Sequence, residues 1–273
     1  MKTLQPCHLP SALSAILLLI CGCTETPYTH RSQLMLMSES DEMQLGVAAY
    51  KETLSKARLE NDPAVVAVVQ RVGERIAHAA NKPEYQWQFS VIDDEKTVNA
   101  FCLPGGKVAV YTGLFPVVKD EGPLAAVIGH EVAHALARHG AERMSQGTLV
   151  QVGGAVLGAA VGTQAPGLSN AAMAAYGLGA QVGVLLPFSR SQESEADHIG
   201  MILMAKAGYD PEAALVLWQR MEQSEKGGTP PQWLSTHPSA STRQDQIRGW
   251  LPEARQYLVS DPSVTNSPLP PIK

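Results

Sequence analysis

The feature that most restricts the fold of this chain is a pair of histidines, His130 and His134, within a long apolar stretch. Residues four apart lie on one face of an α-helix, so both imidazoles can reach a single metal ion. Glu131 lies beside them, where its carboxylate can take a proton from a water that the metal makes more acidic. This H-E-x-x-H pattern makes His130 and His134 candidate metal ligands and Glu131 a candidate catalytic base.

Such a short pattern also occurs by chance on amphipathic helices that carry surface histidines. The flanking residues disfavour that explanation, because Leu124–Gly129 precedes the pattern and Val132, Ala133 and Ala135 surround it. Burying two imidazoles and a carboxylate in apolar surroundings costs free energy unless these groups have partners. A bound metal is such a partner, so the flanks favour a metal site.

A metal site of this kind needs a third protein ligand, and the sequence offers two alternatives. One is a further histidine on the same segment, in the pattern H-E-x-x-H-x-x-G-x-x-H. It fails because Ala137 and Gly140 stand where that pattern has glycine and histidine, and His139 is one residue out of phase. We therefore expect His139 to be a polar edge of the same helix.

The other alternative is a glutamate on a second helix, within the acidic run Glu193–Asp197. Glu193 and Asp197 are four residues apart and share a helical face. We expect Glu193 to bind the metal and Asp197 to accept a ring N–H from a ligand histidine, which fixes the orientation of that ring. Glu195 points to another face, where we expect solvent or a basic partner. An acidic surface helix is a weaker explanation, because the residues after Asp197 are largely apolar.

Around these motifs the spacing of apolar residues predicts a mostly helical chain with a few strands. Helices are expected over residues 38–59, 63–80, 122–144 and 191–207, with further helices from about residue 210 and residue 239. Trp87–Ile92 alternates like a strand, and Val98–Leu103 and Lys107–Tyr111 flank a turn at Pro104-Gly105-Gly106. The Gly- and Ala-rich segment 147–186 is interpreted as close-packed helices or a lid, since its apolar runs are too short to span a membrane.

The N-terminus resembles a bacterial lipoprotein signal. Lys2 precedes a short apolar core, Ala12–Ile20, and a small-residue box ends at Cys23, which would be lipidated and would anchor the chain to a membrane. An ordinary signal peptide is the alternative. Cys102 would then be the one remaining thiol, and we expect it in the core. The formal net charge of −5 disfavours nucleic acid as a partner.

Several motifs together resemble the HtpX/Oma-like family of gluzincin zinc peptidases, which includes the CAAX prenyl proteases. Ser189–Gly200 resembles the second zinc motif of that family, and Asn99–Gly106 resembles the strand and turn before its catalytic helix. Thr236-His237-Pro238, with Arg243 after it, resembles the late His-Pro motif. The resemblance covers roughly residues 40–250 and is strongest to the periplasmic lipoprotein branch.

The resemblance implies an α+β fold of the zincin-like type, mostly helical, with a small β-sheet over the catalytic helix. It implies one Zn²⁺ per chain and hydrolysis of protein or peptide substrates that lie extended along the region Val98–Leu103. The substrates would be misfolded or misassembled envelope proteins. The expected location is the periplasmic side of the outer membrane, with a lipid anchor at Cys23.

These resemblances predict a division of the chain into four parts. They are a lipoprotein signal peptide (1–22), a tether (23–37), a zinc metallopeptidase domain (38–258) and a flexible Pro-rich tail (259–273). The oligomeric state is left open by the sequence.

His237 matches a histidine that the family places near its active site, and two roles are open. It could donate a hydrogen bond to the oxyanion of the tetrahedral intermediate, or it could occupy the open position of the metal and hold the enzyme latent. Two other classes of function also compete, a non-catalytic chaperone and a structural zinc protein. Glu131 disfavours the first, and the absence of a fourth Cys or His at close spacing disfavours the second.

Overall fold

The computed structural model describes residues 23–164, 186–226, 233, 237 and 242–272. Two short strands, β1 (Cys23–Glu25) and β2 (Ser32–Leu34), precede helices α1 (Glu39–Lys56) and α2 (Pro63–Ala80). The main strands are β3 (Gln88–Ile92), β4 (Ala100–Leu103) and β5 (Lys107–Tyr111). The helices that follow are α3 (Phe115–Val118), α4 (Glu121–Leu136), α5 (His139–Gln164), α6 (Leu186–Lys206), α7 (Glu212–Lys226) and α8 (Arg243–Ala254). The expected α+β fold, mostly helical with a small sheet, is confirmed.

The main sheet has the order β3-β5-β4, with β3 parallel and β4 antiparallel to the central strand β5. The predicted turn between β4 and β5 is confirmed, and Gly105 and Gly106 adopt positive φ angles of 82° and 79° there. Strand β4 lies at an edge of the sheet and packs against α4. The sheet therefore presents an edge strand beside the helix that carries the H-E-x-x-H motif.

Helix α4 is the centre of the core. Every one of its residues is buried, and it packs against α2, α6, α7 and β4. A helix without a solvent-facing side cannot leave polar side chains in water, so each must meet a partner from a neighbouring element. His130, Glu131 and His134 all lie on this helix.

The expected single helix over residues 122–144 is interrupted. Helix α4 ends at Leu136, Arg138 adopts a left-handed φ of 55°, and α5 begins at His139. Arg138 is held in this turn by its Nε, which donates to Glu42 at 2.6 Å, and by a guanidinium bond to the Met37 carbonyl at 2.9 Å. The prediction that His139 is a polar edge of the same helix is therefore wrong, because His139 opens a new helix and is fully buried.

Helices α4 and α6 cross at two glycines. A Cβ atom on Gly129 would lie 2.9 Å from the carbonyl oxygen of Gly200, and a Cβ on Gly200 would lie 2.9 Å from the amide nitrogen of His130. Only glycine permits this approach of the two backbones. The crossing brings the acidic residues of α6 next to the histidines of α4.

The C-terminal tail also differs from expectation, because residues 259–272 pack on the domain. The amide of Glu121 donates to the Ser267 carbonyl at 3.0 Å, and the amide of Gly122 donates to the Asn266 side chain at 2.7 Å. The first amides of a helix have no partner inside the helix, and Asp120 makes no side-chain cap. The tail, expected to be flexible, thus supplies the missing cap of α4.

The expected tether, 23–37, contains an ordered hairpin in which β1 pairs with β2. Cys23 pairs with Leu34 in this hairpin, and its lipidation stays a prediction. Within the described residues, no helix is long and apolar enough to cross a membrane. Much of the segment 147–186, interpreted as packed helices or a lid, lies outside the described residues, although α5 extends to Gln164.

The glycine crossing makes a stability prediction. We expect Gly200→Ala to destabilise the protein by about 1–3 kcal/mol, since the new methyl group meets backbone atoms that cannot move independently. Urea unfolding of the purified protein measures this change. Gly249→Ala in α8 is the matched control, because nothing lies within 4 Å of a Cβ at that position. There we expect no loss, or a gain of up to about 1 kcal/mol from helix propensity. Equal effects of the two substitutions would refute the tight crossing.

Candidate metal centre

Four buried side chains direct ligand atoms toward one point. They are His130 and His134 from α4, Glu193 from α6, and His237. The Nε2 atoms of His130 and His134 are 3.1 Å apart, and they lie 3.4 and 3.3 Å from the two carboxylate oxygens of Glu193. The Nδ1 atom of His237 lies 3.2 Å from Nε2 of His130 and 3.0 Å from Glu193. The structure thus brings together the three residues that the sequence analysis expected as ligands, and it places His237, expected near the site, at the same point.

These separations fit a shared metal ion. Ligand atoms at the usual distance of about 2.0–2.2 Å from a tetrahedral zinc ion are about 3.3 Å from one another. The observed contacts of 3.0–3.4 Å match the edges of such a tetrahedron. Two imidazole nitrogens and a carboxylate are also the donor set of many zinc enzymes. The residues present therefore suit a tetrahedral cation, and His237 would lie at its fourth position.

Asp197 orients the first ligand. Its Oδ1 lies 2.9 Å from Nδ1 of His130, so the ring can donate from Nδ1 and keep its Nε2 lone pair for a metal. Arg243 in turn holds Asp197 with two hydrogen bonds, one from Nε and one from Nη2 at 2.8 Å. The guanidinium also lies over the ring of Trp218, 3.6 Å from its centroid. The expected contact of Asp197 with a ligand histidine is present.

The charges of the cluster favour a cation. Burial would raise the pKa of Asp197, but the charge of Arg243 and the bond to His130 lower it overall. The pKa of Glu193 is likewise lowered, because contacts with three histidines outweigh its burial. Burial lowers the pKa of His130, but the contacts with Asp197 and Glu193 outweigh burial and raise this pKa to about 9. Both carboxylates are therefore ionised at neutral pH and can neutralise a bound metal.

Glu131 lies beside this cluster without belonging to it. Its Oε1 accepts a hydrogen bond from the indole Nε1 of Trp233 at 2.7 Å and lies 3.4 Å from Nε2 of His237. A buried indole N–H needs an acceptor, so the pair holds the carboxylate in one orientation. The sequence analysis found Glu131 but missed Trp233, and no spacing links two residues so far apart.

For three further polar residues, the sequence analysis did not predict the contacts that the structure shows. Arg243 was named as part of a motif, and its contact with Asp197 was not foreseen. Glu195 was expected to meet solvent or a basic group; it is buried and pairs with Arg31 at 2.8 Å. His139 contacts both Glu195 and His134. The signal in the sequence for such pairings is a charged residue among apolar neighbours, because a charged side chain that becomes buried needs a partner.

Comparison with known proteins gives consistent matches. A model described as peptidase family M48 matches residues 63–251. The mitochondrial metalloendopeptidase OMA1 of Schizosaccharomyces pombe is 39% identical over 233 residues, which cover 84% of this chain and 66% of that protein. The protein of the same name in Saccharomyces cerevisiae is 30% identical, over 92% of this chain and 78% of its own length. The β-barrel assembly-enhancing protease of Escherichia coli is 30% identical, over 82% of this chain and 46% of its own length.

These relatives correct the expected location. The sequence analysis placed the chain on the periplasmic side of a bacterial outer membrane, and this prediction is wrong. The relatives with the higher identities are mitochondrial, including that of Schizosaccharomyces pombe at 39%, whereas the bacterial matches are 30–31% identical. The lipoprotein-like N-terminus was the main signal for the earlier placement, and it lies outside the described residues up to residue 22.

The contact between Arg243 and Asp197 makes a second prediction. We expect Arg243→Lys to cost about 1.5–3 kcal/mol of stability, because one ammonium group cannot reproduce the paired guanidinium bonds to the carboxylate. We also expect a lower metal content, since Asp197 no longer holds His130 firmly. Urea unfolding and metal analysis check both effects.

Arg248→Lys is the control on the same helix, since Arg248 is exposed and bonds Asp245 and Gln244. Equal behaviour of the two variants would refute the role of Arg243.

Proposed function

Because the chain belongs to peptidase family M48 and is a metallopeptidase, we propose that it hydrolyses peptide bonds within proteins with one zinc ion held by His130, His134 and Glu193. The observation that carries this proposal is the convergence of three ligand atoms beside a carboxylate outside the ligand set. A structural metal site needs ligands but no adjacent base. The arrangement therefore supports an enzyme over a structural zinc protein or a chaperone.

The protein groups have distinct tasks in this reaction. A zinc ion held by His130, His134 and Glu193 would supply Lewis-acid chemistry and increase the acidity of water. Glu131 accepts the proton of the attacking water and then delivers it to the leaving amine. Trp233 keeps the carboxylate in place through its Nε1–H. Asp197, backed by Arg243, keeps the ring of His130 aimed at the metal.

The edge strand β4 offers a site for the substrate backbone. Asn99 bonds Tyr111, and β4 is antiparallel to β5, so the ladder alternates from that pair onward. The backbone groups of Ala100 and Cys102 consequently face away from β5, and the Ala100 amide donates there to Oδ1 of Asn99 at 2.9 Å. An extended peptide can pair with the Ala100 carbonyl and with Cys102 as an added strand, which binds many sequences because it uses the backbone alone. Strand β4 packs against α4, so a bound peptide would run close to Glu131.

We propose proteins that have failed to fold or assemble as the substrate class. Unfolded segments are extended and expose the backbone that an edge strand can pair with. Relatives named β-barrel assembly-enhancing protease, 31% identical in Yersinia pestis and 30% in Escherichia coli, support a link with protein assembly.

His237 has a position that favours one of its two expected roles. Its Nδ1 lies among the ligand atoms, 3.2 Å from Nε2 of His130, while its Nε2 faces Glu131 at 3.4 Å. This placement supports occupation of the fourth metal position, which would block water and substrate. An oxyanion-stabilising role requires the ring to leave that position once substrate binds. The two roles predict opposite effects of removing the ring.

Glu131→Gln tests the assigned base. The amide oxygen can still accept from Trp233 and both histidines are unchanged, so zinc should be retained. Hydrolysis of unfolded casein should fall by roughly 10²–10⁴-fold, because the amide cannot take the proton. Zinc content and casein cleavage are measured on the same sample. Glu253→Gln, an exposed position that contacts His198, is the control and should cleave normally. Normal turnover by Glu131→Gln would show that Glu131 is not the catalytic base.

His237→Ala separates the two roles of this residue. If His237 occupies the fourth metal position, its removal should raise basal hydrolysis of a short peptide. If it stabilises the oxyanion, the same change should lower the rate by roughly 10²–10³-fold. Zinc-loaded wild type and variant are compared side by side. Equal rates would exclude both roles and leave His237 as a packing residue.

A further inference from the structure

A second buried polar cluster lies directly behind the metal centre. His139 is fully buried, and its Nδ1 lies 2.8 Å from Nδ1 of His134. Its Nε2 lies 3.0 Å from Oε2 of Glu195. The cluster therefore touches a proposed metal ligand on the side away from the metal, and the reaction scheme above does not use it.

The contacts allow one direction of hydrogen bonding when His134 binds a metal. Nε2 of His134 faces Glu193 and His130, so its lone pair must stay free and the proton of the ring lies on Nδ1. That proton can be donated only to a bare Nδ1 of His139. His139 then carries its own proton on Nε2 and donates it to Glu195.

Glu195 is fixed as a hydrogen-bond acceptor by the N-terminal hairpin. Besides His139, it accepts from the hydroxyl of Thr26 at 2.7 Å, the hydroxyl of Thr29, and Nε of Arg31 at 2.8 Å. A carboxylate that accepts from two hydroxyl groups and a guanidinium is held in one orientation, and its Oε2 faces Nε2 of His139.

Arg31 joins the loop between β1 and β2 to the helices of the site. Its Nη1 and Nη2 donate to the two carboxylate oxygens of Glu142 on α5 at 2.7 and 2.8 Å, while its Nε donates to Glu195 on α6. Within the loop, the amide of Thr26 donates to the Arg31 carbonyl at 2.9 Å. A planar guanidinium that pairs with two carboxylates sets their relative position. The loop therefore determines where Glu195 stands relative to α5.

We propose that His139 is a positioning residue for the ligand His134, and that the loop Thr26–Arg31 holds His139 in place through Glu195. This inference rests on the proposed metal site. The chain of contacts runs from Arg31 to Glu195, from Glu195 to His139, and from His139 to His134. The N-terminal hairpin is then part of the metal centre, although it supplies no ligand.

The first test compares two replacements of His139. His139→Gln can accept from His134 with its amide oxygen and donate to Glu195 with its amide nitrogen, so the direction of bonding survives. His139→Phe fills the volume but leaves both partners without a polar contact. We expect zinc affinity, measured by competition with a chromophoric chelator, to fall roughly 10–100-fold for His139→Phe and to recover largely for His139→Gln. The absorption spectrum of the Co²⁺-substituted protein should change in the Phe variant and resemble wild type in the Gln variant.

The second test acts from outside the core, in case His139→Phe does not fold. Arg31→Gln removes the guanidinium at a half-buried position and should lower zinc affinity several-fold with the same change in the Co²⁺ spectrum. Arg58→Gln removes an exposed guanidinium that pairs with Asp93, and it should leave both readouts unchanged.

The outcomes separate this inference from the proposed function. If wild type binds zinc tightly and all variants bind it equally well, with unchanged Co²⁺ spectra, the cluster only stabilises the fold and the inference is overturned. If His139→Gln binds as poorly as His139→Phe, the direction of bonding is irrelevant and the inference is also overturned. If wild type itself binds no zinc, the proposed function fails and this inference falls with it.

Discussion

The complete burial of helix α4 is the constraint on which the rest of the structure depends. A helix inside the core cannot satisfy imidazole and carboxylate groups with bulk water. Each polar side chain on α4 has therefore acquired a partner from another part of the chain: Arg71 for Glu121, Asp197 for His130, His139 for His134, and Trp233 for Glu131. Burying these polar groups costs free energy, but it also makes the site rigid, because no ligand can turn without losing a hydrogen bond.

The crossing of α4 and α6 converts this constraint into a metal centre. Gly129 and Gly200 allow the two backbones to approach so closely that Glu193 and Asp197 reach the ring of His130 from opposite sides. Glu193 faces Nε2 of that ring, and Asp197 faces Nδ1. Two acidic residues one helical turn apart thus take different tasks, because a single imidazole presents two different nitrogens to them.

The parts of the site that the sequence predicted are those that local periodicity determines. The spacing of four residues places His130 with His134 and Glu193 with Asp197, and a rule of that kind needs no knowledge of the fold. The turn between β4 and β5 was predicted from another local signal, Pro104-Gly105-Gly106, whereas the edge-strand role of β4 was implied by the family resemblance.

The remaining contacts depend on how distant elements meet. Trp233 reaches Glu131, and Arg243 reaches Asp197, across separations that no periodicity encodes. His139 was misjudged because the left-handed turn at Arg138 ends α4, and that turn is held by Glu42, a residue from another helix. The C-terminal tail was judged flexible from its proline content, whereas its role depends on the unpaired amides at the start of α4.

The packing of that tail has a consequence for folding. The amides that open α4 are capped by Asn266 and Ser267, and Asn266 lies 144 residues beyond the amide of Gly122 that it caps. Contacts between residues so distant in sequence form late, because the intervening chain must first be ordered. The helix that carries His130 and His134 is therefore secured at its N-terminal end only after the elements between it and the tail have packed.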